Sequence, residues 1–218
     1  MQPSRTLRPE RRRSAPDAAP APLLRFAIAG ARGDAATGRR AAQSSRAAGA
    51  PRRALEEIGL MLVLYAGYPA AFEALRVLND VWPGRARRTR DGGPADWRRR
   101  GMALSRRVYG PVHTRLLAAV RALHPDLAIW MIENGYGRVL SRRGLGVRAR
   151  ELVTIAVLAA TRRERQLVSH LLGAARVGAP RTAIRRALLA GAAVGDALAR
   201  RAWRTAFGTA LTRPSGRP

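Results

Sequence analysis

The sequence predicts an all-α protein built from two tandem helical-hairpin repeats behind a disordered N-terminal tail. Three observations predict it. Apolar residues recur at helical spacing through the second half of the chain. No stretch alternates with the period-two pattern of a half-buried strand strongly enough to compete with these helical patterns. The chain also matches itself when it is slid by 129 residues. Of the 218 residues, 47% are hydrophobic but only 5% aromatic, so the core must be made mainly of Ala, Leu and Val, which suits closely packed helices.

Residues 1–20 are rich in Pro and Arg and almost free of bulky apolar side chains. Such a segment cannot bury enough surface to offset the entropy of ordering, so it reads as a disordered basic tail. Arg11, Arg12 and Arg13 resemble the basic start of an export signal, but the apolar run that follows, Leu23 to Ala31, is short and holds Arg25. The expectation is therefore a cytoplasmic protein. The longest uncharged stretch, Ile58 to Phe72, is shorter than the ~20 residues that span a bilayer and contains Pro69, so no membrane span is expected.

The self-match defines residues 21–84 as a degenerate first repeat. It sets Leu23 on Leu152, Ala27 on Ala156, Ala31 on Ala160 and Leu60 on Leu189. Its most specific part is the tetrapeptide Gly49-Ala50-Pro51-Arg52, repeated as Gly178-Ala179-Pro180-Arg181. There Gly suits a left-handed helix stop and Pro the first turn of the next helix. Tyr65 to Gly84 reads as a helix bent or restarted by Pro69 and ended by Pro83-Gly84. Residues 85–100, with many arginines and Gly92-Gly93-Pro94, read as an exposed flexible linker.

The second repeat occupies residues 101–210. Val112, Leu116, Val120 and Leu123 form one stripe; His124-Pro125-Asp126 breaks the chain; Leu127, Trp130 and Met131 supply the next buried face, which Asn134-Gly135 stops. Tyr136 to Gly146 is a turn-rich lead-in. Three further helices follow, marked by Leu152, Ile155, Ala156 and Ala159; by Leu167, Val168, Leu171 and Ala175; and by Ile184, Ala187, Leu188, Gly191, Ala192 and Gly195. Thr161-Arg162-Arg163 separates the first two.

Charge is the most conspicuous compositional feature: 41 basic residues against 14 acidic, a net +27, and every basic residue is Arg. The arginines are scattered rather than gathered on one element. A solvated, compositionally biased surface is thus favoured over nucleic-acid binding. The chain has no Cys, which removes disulfides, thiolate metal sites and thiol catalysis.

Chemistry concentrates on Glu151 and His170. Glu151 lies ten residues before Thr161, about 15 Å of helix rise, and His170 lies seven residues after Arg163, about 10 Å back along an antiparallel partner. The two side chains should therefore meet. A carboxylate on an imidazole can hold one tautomer and move a proton near neutral pH. It can equally be a buried His satisfied by a Glu between helices, and spacing leaves both readings open. His113 and His124, at helix ends, read as partners of backbone groups. No further His, Asp or Glu stands at metal-ligand spacing from His170, so neither metal nor other cofactor is expected.

The run Arg150-Glu151-Leu152 through Ser169-His170 to Gly173-Ala174 and Gly178 resembles the core signature of the carboxymuconolactone decarboxylase family, which includes alkyl hydroperoxidase D-like proteins. Tyr65-Ala66-Gly67-Tyr68-Pro69-Ala70-Ala71 resembles the motif that follows that core. The resemblance implies an all-helical fold of the alkyl hydroperoxidase D-like type, with this chain a tandem two-copy member. It also implies a homo-oligomer, a trimer acting as a pseudo-hexamer. In the family's peroxidase branch a carboxylate, two cysteines and a histidine would fall on Glu151, Arg163, Gln166 and His170. Without thiols, peroxidase chemistry is not expected.

The decarboxylase branch implies general acid/base roles for Glu151 and His170. Arg150 and Arg163 are candidate partners of a substrate carboxylate, and Gln166 and Tyr136 candidate lining residues. Leu172 stands where those decarboxylases carry an Arg, so one expected anion contact is missing. Two function classes follow: cofactor-free decarboxylation of a small carboxylated lactone, or a catalytically silent helical scaffold.

Overall fold

The computed structural model describes residues 19–89, 92–192 and 196–208, and among them every regular element is helical. The basic tail expected over residues 1–20 lies outside the described residues except for Ala19, which is buried, and Pro20, which caps the first helix. Gly195, expected in the last small-residue stripe, also lies outside them.

The chain begins with α1 (Ala21–Arg32), α2 (Ala35–Ala47) and α3 (Arg52–Val81), within the residues expected to form a first repeat. The chain continues through α4 (Pro94–Tyr109), a short 3-10 turn, α5 (His113–Leu123), α6 (Pro125–Trp130) and a π-helix, Met131–Leu140. It closes with α7 (Val147–Ala160), α8 (Glu164–Arg176), α9 (Arg181–Gly191) and α10 (Ala197–Phe207).

Helix-end geometry recurs at the 129-residue offset. Asp34 N–H donates to Ala29 O at 2.9 Å, and Arg163 N–H, 129 positions on, donates to Leu158 O at 2.9 Å. Ala50 N–H meets Ser45 O at 3.0 Å, and Ala179 N–H meets Ala174 O at 2.9 Å. Gly49 and Gly178, first in the two matching tetrapeptides, both take left-handed φ, 72° and 86°. Gly33 has φ 72° and Arg162, 129 positions on, φ 59°, a conformation that its side chain tolerates less well.

α1 lies against α2 and α3, α7 lies against α8 and α9, and α1 and α7 meet at the centre. α1 also touches α9, and α7 touches α3. α1 contributes Leu23, Leu24 and Ala27 to the core and α7 contributes Ile155, Ala156 and Val157, none more than 1% exposed. The small residues permit this close approach: a Cβ on Gly191 of α9 would fall 2.1 Å from Ala156 O of α7.

Several elements depart from the sequence reading. The linker expected over 85–100 is shorter, because α4 already begins at Pro94, a residue pre-set for a first turn. Asn134-Gly135 does not stop a helix; the π-helix runs through both. The Val112 to Leu123 stripe is only partly covered, with Leu123 78% exposed, and Trp130, expected in a buried face, is 58% exposed.

By length and composition α3 is long and apolar enough to cross a membrane, a property the uncharged run alone did not show. It is not continuous, since Gly67 (φ 82°, ψ 175°) breaks it just before Pro69. Its first half also carries the buried Glu57, paired with Arg150 and Arg142.

Candidate active site

The site is built where α7 and α8 run antiparallel behind the π-helix and the end of α4. Glu151, in the second turn of α7, and His170, midway along α8, point at each other. His170 Nδ1 lies 2.9 Å from Glu151 Oε2, and the two residues are 7% and 2% exposed. A carboxylate at Nδ1 favours the tautomer with its proton there, which leaves Nε2 as the basic nitrogen.

His170 forms part of the wall of a cleft of about 1220 Å³. Glu151 lies behind it and does not line the cleft. The pair thus has a buried anchor and an accessible working end.

All 4 tyrosines of a chain poor in aromatics line the cleft, and three of them, Tyr65, Tyr109 and Tyr136, lie near enough to Glu151 to feel its charge. Tyr136, on the π-helix, donates to Tyr109 Oη at 2.8 Å, and both are buried. The Tyr109 ring stands edge-on to the His170 ring, centroids 6.3 Å apart. Tyr65, two residues before the break in α3, shares a 2.8 Å hydrogen bond with Thr154 of α7.

Burial raises the pKa of all three hydroxyls, and the nearby Glu151 charge raises each further. Tyr109 is pushed up to about 12, and Tyr65 and Tyr136 are also raised. They are neutral hydrogen-bonding groups at any physiological pH.

The cleft wall carries Arg87, Arg88, Arg138, Arg142 and Arg163 and, among the described residues, no carboxylate. Its floor is apolar, with Val63, Leu64, Val139 and Leu158. The arrangement suits an anion with an unsaturated or apolar body.

Of the residues singled out in the sequence, Glu151 and His170 are brought together, and Tyr136, Arg163 and Gln166 line the cleft with His170. Arg163, Gln166 and His170 share one face of α8. Arg150 requires a correction. It is 2% exposed and does not line the cleft; its Nη2 donates to Glu57 Oε2 at 3.0 Å and to Arg142 O at 2.8 Å, and its Nε to Leu145 O at 3.1 Å. A guanidinium held this way has no free fork to offer a substrate. Its place one residue before Glu151 puts it on a different face of α7, turned toward the first repeat.

His124 fits its helix-end role, Nδ1 accepting from Asp126 N–H at 3.1 Å. His113 instead meets the buried Ser105 Oγ at 2.9 Å, away from the cleft wall, and burial lowers its pKa.

Sequence reasoning missed Tyr109, Tyr65 and Thr154. Tyr65 carried a signal, since it opens the Tyr-Ala-Gly-Tyr-Pro motif. Tyr109 carried only its rarity.

Neither the curated proteins nor the solved structures give a match to the chain. Residues 125–207, which run from α6 to the end of α10 and include Tyr136, Glu151 and His170, match the model of the carboxymuconolactone decarboxylase family.

Proposed function

We propose that this protein is a tandem, cofactor-free enzyme of the carboxymuconolactone decarboxylase type, acting by general acid/base chemistry on a small carboxylated lactone or a related acid. The observation that carries the reading is the Glu151–His170 pair, buried at Glu151 and open to an arginine-walled cleft at His170. In such a reaction the bond between carbon and the carboxylate breaks and CO₂ leaves. The electron pair passes to a conjugated carbonyl, giving an enolate, and protonated His170 delivers a proton to carbon. Glu151 holds the ring and offsets its positive charge, and Arg163 and Gln166 at the rim face the substrate's remaining polar groups.

Assembly into a homo-oligomer belongs to the same reading. It is supported by the exposed apolar side chains Leu123, Leu127, Ile129 and Trp130 on α5 and α6.

The test is turnover of carboxymuconolactone by the whole chain. Glu151→Gln and His170→Ala should each lower kcat by about 10²–10⁴-fold while the particle mass from light scattering stays unchanged. Unimpaired turnover in His170→Ala would overturn the assignment. A wild-type protein silent across a panel of carboxylated lactones would favour the second reading, a scaffold without activity. One departure at the sequence level supports that alternative: Leu172 in place of an arginine.

A further inference from the structure

The tyrosine cluster is not explained by packing alone. Each hydroxyl has one hydrogen to give, and the hydrogen bonds determine where it goes. Tyr136 gives its hydrogen to Tyr109 Oη. Tyr65 Oη is tied to Thr154 Oγ1. Tyr109 is therefore the acceptor in its pair, and among the described residues nothing accepts the hydrogen of Tyr109 in return. Tyr109 is nearly buried and lines the cleft, so what the cleft holds is a natural acceptor for that hydrogen.

We infer that Tyr109 is the oxyanion donor of this site, its hydroxyl hydrogen-bonding the enolate oxygen that develops while His170 exchanges a proton at the neighbouring carbon, with Tyr136 as the positioning residue behind it. The inference rests on the proton-transfer reading above and deepens it by naming the group that receives the negative charge. Geometry supports the division of labour. The two rings stand edge-on, 6.3 Å between centroids, and both residues line the same cleft, so one small ligand can meet both.

Chemistry supports it as well. A hydroxyl that already accepts a hydrogen bond is a stronger donor, and in a site shielded from water that gain is not screened. The transfer balances: the electron pair released at carbon resides on oxygen while Tyr109 donates, and returns to carbon when His170 supplies its proton. Tyr109 itself neither gains nor loses a proton. Its hydroxyl is intact throughout the physiological range, because burial, and secondarily the Glu151 charge, hold its pKa at about 12.

The test uses 4-nitrophenol, whose coloured anion stands in for an enolate, and 4-nitroanisole, its methyl ether, which has the same body and no charge. Each is titrated into the full chain. Wild type should bind the phenolate more tightly than the ether. Tyr109→Phe should weaken phenolate binding about 10- to 100-fold and leave the ether unchanged. Tyr136→Phe keeps the Tyr109 hydroxyl but removes its support, so phenolate binding should fall only about 3-fold.

With carboxymuconolactone, Tyr109→Phe should lower kcat and leave KM nearly unchanged. Three results overturn the inference: a wild type that does not distinguish the two probes, a Tyr109→Phe variant with unaltered phenolate affinity, or one that loses both probes equally. If phenolate selectivity depends on Tyr109 while His170→Ala leaves turnover untouched or wild type has none, the donor stands and the proton-transfer reading falls.

Discussion

A Cβ added at Gly173 would lie 2.7 Å from Val108 Cγ1 and 2.9 Å from Glu151 Oε2, so the position one turn beyond His170 admits little more than a hydrogen atom. The carboxylate end is the softer of the two neighbours, and it is the atom that holds His170. We therefore predict that Gly173→Ala moves Glu151 off the imidazole rather than unfolding α8. Turnover should fall by at least about 10-fold with a stability loss of only about 1–3 kcal/mol, checked by steady-state kinetics beside a urea titration. An unchanged kcat together with a large stability loss would show Val108 giving way instead. At this scale the sequence was informative where helix pitch governs: the 19-residue separation of Glu151 and His170 places them at one level across a hairpin, and their side chains do meet. It was misleading for Arg150, whose partner Glu57 lies 93 residues away, because local spacing carries no record of a distant carboxylate.

Tyr109 and Tyr136 meet only because two elements approach to backbone contact. A Cβ on Gly101 of α4 would stand 2.0 Å from Ile132 O, and one on Gly137 of the π-helix 2.0 Å from Trp97 O. Neither obstacle is a side chain that can turn aside. Gly101→Ala or Gly137→Ala should each cost about 1–3 kcal/mol or more and separate the two tyrosines. The change should appear as a lower melting temperature and an altered near-ultraviolet circular dichroism spectrum. A variant with native stability would mean the crossing is looser than described. The sequence does not announce this crossing. Asn134-Gly135 reads as a stop, since glycine so often ends helices, whereas the π turn carries the chain through both and Gly137 beyond them serves close packing. The helices α7, α8 and α9 were legible because their apolar stripes are buried in the core. The α5 stripe was legible as a helix but not as a surface, because its period is the same whether or not another element covers it.

At the scale of the whole molecule the two halves of the chain are held together by α1 against α7 and by a buried ionic cluster between α3 and the residues around the start of α7. Glu57 of α3 receives Arg150 Nη2 at 3.0 Å and Arg142 Nε at 3.0 Å, and Arg150 and Glu57 are each 2% exposed. Arg150 Nη1 is buried without a hydrogen-bond partner among the described residues, so within them the cluster is one bond short, and burial lowers the pKa of the guanidinium. Removing the carboxylate would leave a positive charge in a low-dielectric interior with only carbonyl oxygens for company. Glu57→Leu should therefore destabilise the protein by about 3–5 kcal/mol, whereas the double change Glu57→Leu, Arg150→Met should recover most of that loss, because the cost lies in the unpaired charge and not in the missing pair. Urea unfolding of the wild type, both single variants and the double variant gives the coupling directly. Arg142, only 17% exposed but nearer the surface, can turn toward solvent in the double variant. If Glu57→Leu costs less than about 1 kcal/mol, the cluster behaves as a solvated surface pair and the two halves of the chain are joined by apolar contact alone. A double variant no better than the single would instead show that the cluster's shape, and not its charge, sets the register of α3 against α7.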